Sequence, residues 1–244
     1  MEQAWAFTDD CPLPAAGVGH NRRSVPATRE LNAFGDADTL LAGLGSAARA
    51  MTLKDKAFVY KQGDAADTIY YVKNGHIKLA TVSADGKAAV LGLIGEGQFF
   101  GEGCLLAECP RRQSDATSVG VSAVACIDKL TAQHLLRENA EFAAAFMCHA
   151  VARANQLEDQ LVDQVAHSTE RRLARLLLRL TDLDHSGDAA VCIPRVTQET
   201  LAQMIGASRP RVNQFLQKFR RLGFIECNGR MRIHPELAEV LRRD

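Results

Sequence analysis

The side chains best suited to reading nucleic acid are concentrated near the C-terminal end of the chain. Between positions 197 and 232 seven Lys and Arg stand against two Glu, in a chain whose formal net charge is zero. A solvated face would mix both signs, so this segment is built to meet phosphate. Val212, Phe215, Leu216 and Phe219 fall at i, i+3, i+4 and i+7, which buries one face of a helix. At about 100° per residue the opposite face carries Pro210, Asn213, Gln214, Gln217 and Arg221, with Arg211 and Lys218 beside it. Amides and guanidiniums in that arrangement pair with base edges in a major groove.

Short elements must hold that face in place. Thr197 is suited to cap a helix, with Val196 and Leu201 spaced as a hydrophobic staple. Gly206 would end it, because a residue without Cβ enters the left-handed cap cheaply. Ser208 then caps a second helix, where Pro210 is tolerated in the first turn. Phe224–Cys227 and Arg230–Ile233 flank Asn228-Gly229, a strong hairpin signal. Two short helices, a tight turn and a basic hairpin form a winged helix-turn-helix. Its expected DNA contacts are Thr197, Ser208, Arg209, Pro210, Arg211, Asn213, Gln214, Gln217, Lys218 and Arg221, with Arg230 and Arg232 on the wing.

The 244 residues suffice for two domains with separate cores. No run of about 18 apolar residues occurs, so no membrane span is expected, and the N-terminus lacks the basic-then-apolar pattern of a secretory signal. Seven scattered cysteines argue for a reducing compartment, and a cytoplasmic location follows. Residues 1–28 have no periodicity and read as a flexible tail; residues 30–46 could form short amphipathic helices. From Ala57 to Asp128 short strands alternate with Gly turns. Thr68–Val72 and His76–Val82 read as a hairpin about Asn74-Gly75, Asp85-Gly86 turns the chain again, and Ala88–Ile94 forms a strand. This texture predicts a jelly-roll or barrel.

Around Glu138 the period becomes helical. Ala143, Met147, Ala150, Ala154, Leu157 and Leu161 are spaced 4-3-4-3-4, the seam of a two-stranded coiled coil. Met147, Ala150, Ala154, Leu157 and Leu161 are therefore the expected homodimer interface. Ser168 caps a further helix whose Leu173, Leu176, Leu177 and Leu180 seat the DNA-binding unit. Asp182–Asp188 reads as a polar turn, since Ile193 stands where a calcium loop needs its bidentate acid.

A β-roll, a long seam helix and a winged helix-turn-helix, in that order, resemble the CRP/FNR family of bacterial transcription regulators. The resemblance covers residues 30–240 and is most specific in Phe99–Leu106 and Thr197–Gln214, with glycines 63, 75, 95, 97 and 101 where that family places them. It implies an α+β fold: a β-roll sensor over 29–137, a dimerisation helix over 138–167, and the DNA-binding domain over 168–244. It also implies an effector site. In cyclic-nucleotide-binding members a Glu accepts from the ribose hydroxyl and an Arg about ten residues on pairs with the cyclic phosphate; Glu102 and Arg112 have that spacing. Gly101 and Gly103 leave backbone amides open to an anion. Either Arg111 or Arg112 points inward. Gln113 replaces the small hydroxyl residue of cyclic-AMP binders, and Leu157-Glu158 replaces the Thr-Ser pair that receives adenine, while Arg153 can still reach a ligand. The expected effector-binding set is thus Gly101, Glu102, Gly103, Arg112, Gln113 and Arg153.

Only Cys11 precedes Cys104, so the four-cysteine iron–sulfur cluster of the oxygen-sensing branch is not expected. Cys104 and Cys109 lie near the expected pocket and could be redox-active. The seven histidines form no H-x-x-x-H pair, and no metal site is expected. No nucleophile–base pair suggests an enzyme. The leading expectation is a dimeric regulator that binds palindromic double-stranded DNA, acts on RNA polymerase and is controlled by a small effector, with a cyclic nucleotide as the candidate. A ligand-independent or redox-controlled regulator of the same family, and a cyclic-nucleotide module acting on a protein partner, are the alternatives.

Overall fold

The structure, a computed structural model, describes residues 48–86, 88–106, 110–181, 191–194, 196–228 and 230–242. The N-terminal tail, the expected helices over 30–46, the polar turn at 182–188, Cys109 and the side chain of Arg230 lie outside what it describes.

Six antiparallel strands build the first half: β1 (Arg49–Leu53), β2 (Phe58–Tyr60), β3 (Thr68–Val82), β4 (Ala88–Ile94), β5 (Phe99–Phe100) and β6 (Asp115–Asp128). The sheet order is β1-β6-β3-β4, with β2 added to β6 and β5 to β3. Apolar side chains from both long strands fill the interior, among them Ile69, Val72 and Ile77 of β3 and Val124 and Ile127 of β6, all fully buried. The hairpin expected at Asn74-Gly75 is absent. β3 runs unbroken for 15 residues, and its register against β6 slips between Val72 and Asn74 and again between Asn74 and His76. Gly75 is a bulge residue at φ 84°, and a Cβ there would come within 2.6 Å of Ser122 Oγ. The glycine admits the neighbouring strand instead of reversing its own. β1 was not foreseen either, because its five residues, Arg-Ala-Met-Thr-Leu, alternate too weakly to register as a strand.

Helix α1 (Lys129–Glu138) follows β6 directly, capped by Asp128, whose Oδ1 accepts from Thr131 N at 2.9 Å. Asn139 then caps the 27-residue helix α2 (Ala140–Ala166). The N-terminal part of α2 is fastened to the roll by Phe142, Phe146 and His149, whose rings sit 5.9, 5.5 and 5.6 Å from that of Phe99. Its C-terminal part runs past β4, where Leu157, Gln160 and Leu161 face Ala89–Leu91 across a cleft.

The second core belongs to α3 (Thr169–Thr181), α4 (Gln198–Ile205), α5 (Arg209–Arg221) and α6 (Glu239–Arg242). Leu173, Leu177, Leu201, Val212, Phe219 and Leu237 meet there with no exposed surface. The wing has three strands rather than the expected two: β7 (Val191–Cys192) pairs with β9 (Arg230–Ile233), which pairs with β8 (Ile225–Asn228). Two residues carry no periodicity, which is why β7 escapes a sequence reading. α4 also lies along β4, and a cleft of about 310 Å³ opens between β4, α2, α3 and α4. No helix among the described residues is long and apolar enough to cross a membrane.

Candidate nucleic-acid interface and effector pocket

The helix-turn-helix geometry follows from four residues. Thr197 Oγ1 accepts from Thr200 N at 3.1 Å and starts α4. Gly206, at φ 62° and ψ 45°, ends it in the left-handed region. Ser208 occupies the cap position of α5 in extended backbone but makes no side-chain capping bond, so the expected cap is positional only. Pro210 in the first turn stands where an amide would have no intrahelical partner anyway.

Along α5, Val212, Leu216 and Phe219 are buried, whereas Arg209, Pro210, Arg211, Gln214, Gln217, Lys218, Arg220 and Arg221 are exposed. Thr197 and Ser208 are exposed at the same end, and Arg232 on the wing is exposed. Besides Thr197, further residues of the expected DNA-contact set also contact other residues of the chain. Lys218 Nζ lies 2.7 Å from Glu170 Oε1, Asn213 Oδ1 accepts from Gln198 Nε2 at 3.5 Å, and Arg211 sits 5.2 Å above the ring of Phe215. Asn213 is thereby half-buried against α4. Arg220 joins the exposed basic surface although the helical-face count passed over it, since it falls between the two faces.

In the roll, Gly101 takes φ 82° at the start of a short 3-10 helix, Glu102–Leu105. A Cβ on Gly101 would stand 2.8 Å from Arg112 Nη1, so only glycine fits beside that guanidinium. The choice left open between Arg111 and Arg112 is resolved by packing. Arg112 turns inward and is 5% exposed, while Arg111 lies on the surface with Nη1 donating to Gly63 O at 3.1 Å. Arg112 donates from Nη1 to Gly101 O at 3.1 Å and from Nη2 to Thr68 O at 2.8 Å. Its guanidinium also stacks 4.2 Å from the Tyr60 ring and 5.4 Å from that of Tyr70. Burial pushes the Tyr60 hydroxyl up to about 12, an effect the Arg112 charge opposes. The Nε of Arg112 is buried without a partner.

Glu102 pairs instead with the long helix: its Oε1 is 3.4 Å from Arg153 Nε. Open space faces Gly103. Gln113 is exposed, its amide donating to Arg111 O at 3.2 Å, and does not join the others. The structure therefore brings together Glu102 with Arg153 and Gly101 with Arg112. His149, one turn before Arg153, was not foreseen. Burial holds its imidazole down to about 4, with the Glu102 charge opposing, and its Nε2 is buried without a partner. The i, i+4 spacing from Arg153 was the available signal. Cys104 has no exposed surface, and burial pushes its thiol up, away from the thiolate that redox chemistry needs. Among the described residues no cluster of His, Cys, Asp and Glu could hold a metal ion.

Comparison with known proteins gives these features a lineage. The cyclic nucleotide-binding domain family matches residues 50–139, and the Crp-like helix-turn-helix domain family matches residues 171–240. The chain belongs to the CRP/FNR family. A CRP-like cAMP-activated global transcriptional regulator of Mycobacterium tuberculosis is 27% identical over 187 residues, covering 76% of this chain and 83% of that protein. The CRP-like protein Clp of Xanthomonas campestris is 28% identical over 183 residues, covering 70% and 77%. Among solved CRP/FNR structures, that of the c-di-GMP-responsive regulator CLP from Xanthomonas campestris superposes with a TM-score of 0.68 at 23% identity, over 82% of this chain and 99% of that one. FixK2 from Bradyrhizobium japonicum gives 0.70 at 15% identity, over 81% and 97%. Like its CRP/FNR relatives, the chain is a DNA-binding transcription regulator, with a cyclic nucleotide-binding-type β-sheet domain ahead of its helix-turn-helix.

Proposed function

We propose that the protein works in the cytoplasm as a homodimer that binds palindromic double-stranded DNA and acts on RNA polymerase, not as an enzyme. In this reading residues 29–137 sense, 138–167 pair two chains, and 168–244 read DNA. The observation that carries the dimer is the apolar stripe left uncovered on α2: Met147, Val151, Leu157, Leu161 and Val165 are 62, 52, 47, 65 and 82% exposed. A run of that length is costly in water and matches a two-fold partner helix. Pairing α2 with its mate sets two α5 helices side by side, each entering a major groove about one turn apart.

The sensor's effector is a cyclic nucleotide in this proposal. Support comes from the family match over residues 50–139, the open face of Gly103, and the Glu102 carboxylate, which is able to accept from ribose. Arg112 donates from each terminal nitrogen to a carbonyl, and Arg153, beside Glu102 on the helix that pairs the chains, supplies a second cation for a phosphate. Ligand that took Glu102 or Arg153 from the other would thus bias α2, and control requires that kind of differential interaction. Calorimetric titration with cyclic AMP, cyclic GMP and cyclic di-GMP tests this, with Arg153→Ala as the control. Binding that Arg153→Ala abolishes supports the reading; no heat at millimolar ligand overturns it. The ligand-independent alternative has its own observation: Glu102 pairs with Arg153, and both terminal nitrogens of Arg112 donate within the chain. In that case DNA affinity is the same with and without nucleotide.

A further inference from the structure

α3 belongs to the DNA-binding body, since Leu173, Leu176, Leu177 and Leu180 share one core with α4 and α5. α2 belongs to the other body, fixed to the roll through Phe142 and Phe146. The two helices meet at His167, whose φ of −122° and ψ of 148° break the helical path. Covalent geometry alone permits many angles at such a joint. One buried charge crosses it. Asp163, in the last turn of α2, is 3% exposed. Its Oδ1 accepts from Arg175 Nη1, its Oδ2 accepts from Arg179 Nη2 at 3.3 Å, and His167 Nε2 lies 3.9 Å from Oδ1. Arg175 and Arg179 stand one turn apart on α3, so both hold the carboxylate from the same side of the DNA-binding body. A second tie runs parallel, from Arg172 Nη1 to Gln164 Oε1 at 2.5 Å.

A buried carboxylate that loses its guanidiniums is strongly penalised, whereas a well-paired one contributes little net stability; its effect is on which geometry is allowed. Two charge-assisted bonds from one helix to one carboxylate define both a distance and a direction.

We infer that Asp163 is a positioning residue for DNA recognition: gripped by Arg175 and Arg179, it sets the angle between α2 and the DNA-binding body, and so the separation of the two recognition helices. The inference rests on the dimeric reading above. One added base pair moves a half-site by about 3.4 Å and turns it by about 34°. A rigid joint accepts one spacing; a loosened joint accepts its neighbours.

The experiment compares affinity for three palindromes, with half-sites at the selected spacing and with one base pair added or removed. The wild-type protein is expected to lose about tenfold or more on the altered sites, the scale of one unmet contact. Asp163→Asn is expected to bind all three within about threefold, by the same scale. Dimerisation and thermal midpoint are read first. If Asp163→Asn unfolds, Asp163→Asn with Arg179→Gln serves, since it removes a cation together with the carboxylate and leaves two amides able to pair. A folded, dimeric variant that keeps the wild-type discrimination overturns the inference, as does one that weakens on all three sites equally. Wild-type protein that binds no palindrome overturns the dimeric reading instead.

Discussion

At the scale of single residues, Gln214 and His149 make the sharpest statements. Gln214 is exposed on α5 and can pair bidentately with adenine, while Pro210 beside it offers no hydrogen bond to a cytosine amine. Arg209, exposed at the start of the helix, is the proposed guanine or phosphate contact. Gln214→Ala is expected to cost about 1–3 kcal/mol on the best site and to relax choice at one symmetric base pair, read by selection from random DNA. An unchanged selected motif would remove Gln214 from the recognition surface. His149 is held neutral by burial, with its pKa lowered from 6.5 to about 4. A lowered pKa means that the unfolded chain takes the proton first. The stability is therefore complete above pH 6.5 and lost as pH falls towards 4. The loss is at most about 1.4 kcal/mol per pH unit in that window. Urea denaturation at stepped pH should show it, and His149→Phe should flatten that part of the profile. An unaltered profile would mean that other groups carry the acid response.

At the scale of elements, α2 has two roles on different faces. One face is tied to the roll by Phe142, His149 and Arg153; the other exposes Met147, Val151, Leu157, Leu161 and Val165. Val151 and Val165 extend the stripe that the 4-3 spacing picked out. Leu157 also lines the cleft under β4, so a charge there would touch two surfaces. Leu157→Asp and Val151→Asp are both expected to give monomers at micromolar concentration, measured by sedimentation equilibrium. Dimers surviving both substitutions would place the interface elsewhere. The strand β3 teaches a different lesson. Its Gly75 resembles a turn residue, yet the close approach of Val121 O, 2.7 Å from where a Cβ would stand, requires the glycine within a continuous strand.

At the scale of the whole molecule, charge is local rather than global. The formal net charge is zero, but the exposed basic residues of α5 and the wing share one domain. Affinity for DNA should therefore fall steeply with salt while the rest of the surface stays indifferent. Arg232→Ala is expected to weaken binding to all sequences alike and to reduce the slope of log affinity against log salt by about 1. Loss of preference at a single base pair, with the slope intact, would make Arg232 a base reader rather than a phosphate contact. The contact of α4 with β4 adds that the β-roll and the DNA-binding half touch directly as well as through α2. A change in the roll thus has two routes to α5, one through the joint at His167 and one across the cleft.

The chain's local patterns already determined its architecture: the cap at Thr197, the left-handed Gly206, the Leu stripe of α3 and the apolar period of α5 act over one or two turns and are read within a short window. The apolar spacing of α2 was legible for the same reason. What only the tertiary structure decided lies between residues far apart in the chain. Arg112 faces inward because Tyr60, Thr68 and Tyr70, from other strands, supply the rings and the carbonyl that hold it. β7 forms only because β9 offers an edge. Glu102 meets Arg153 across 51 positions, and Asp163 meets Arg179 across 16, contacts that no local period encodes. Spacing along the chain placed the recognition helix, but the direction of each buried charge depended on which surfaces the folded chain pressed together.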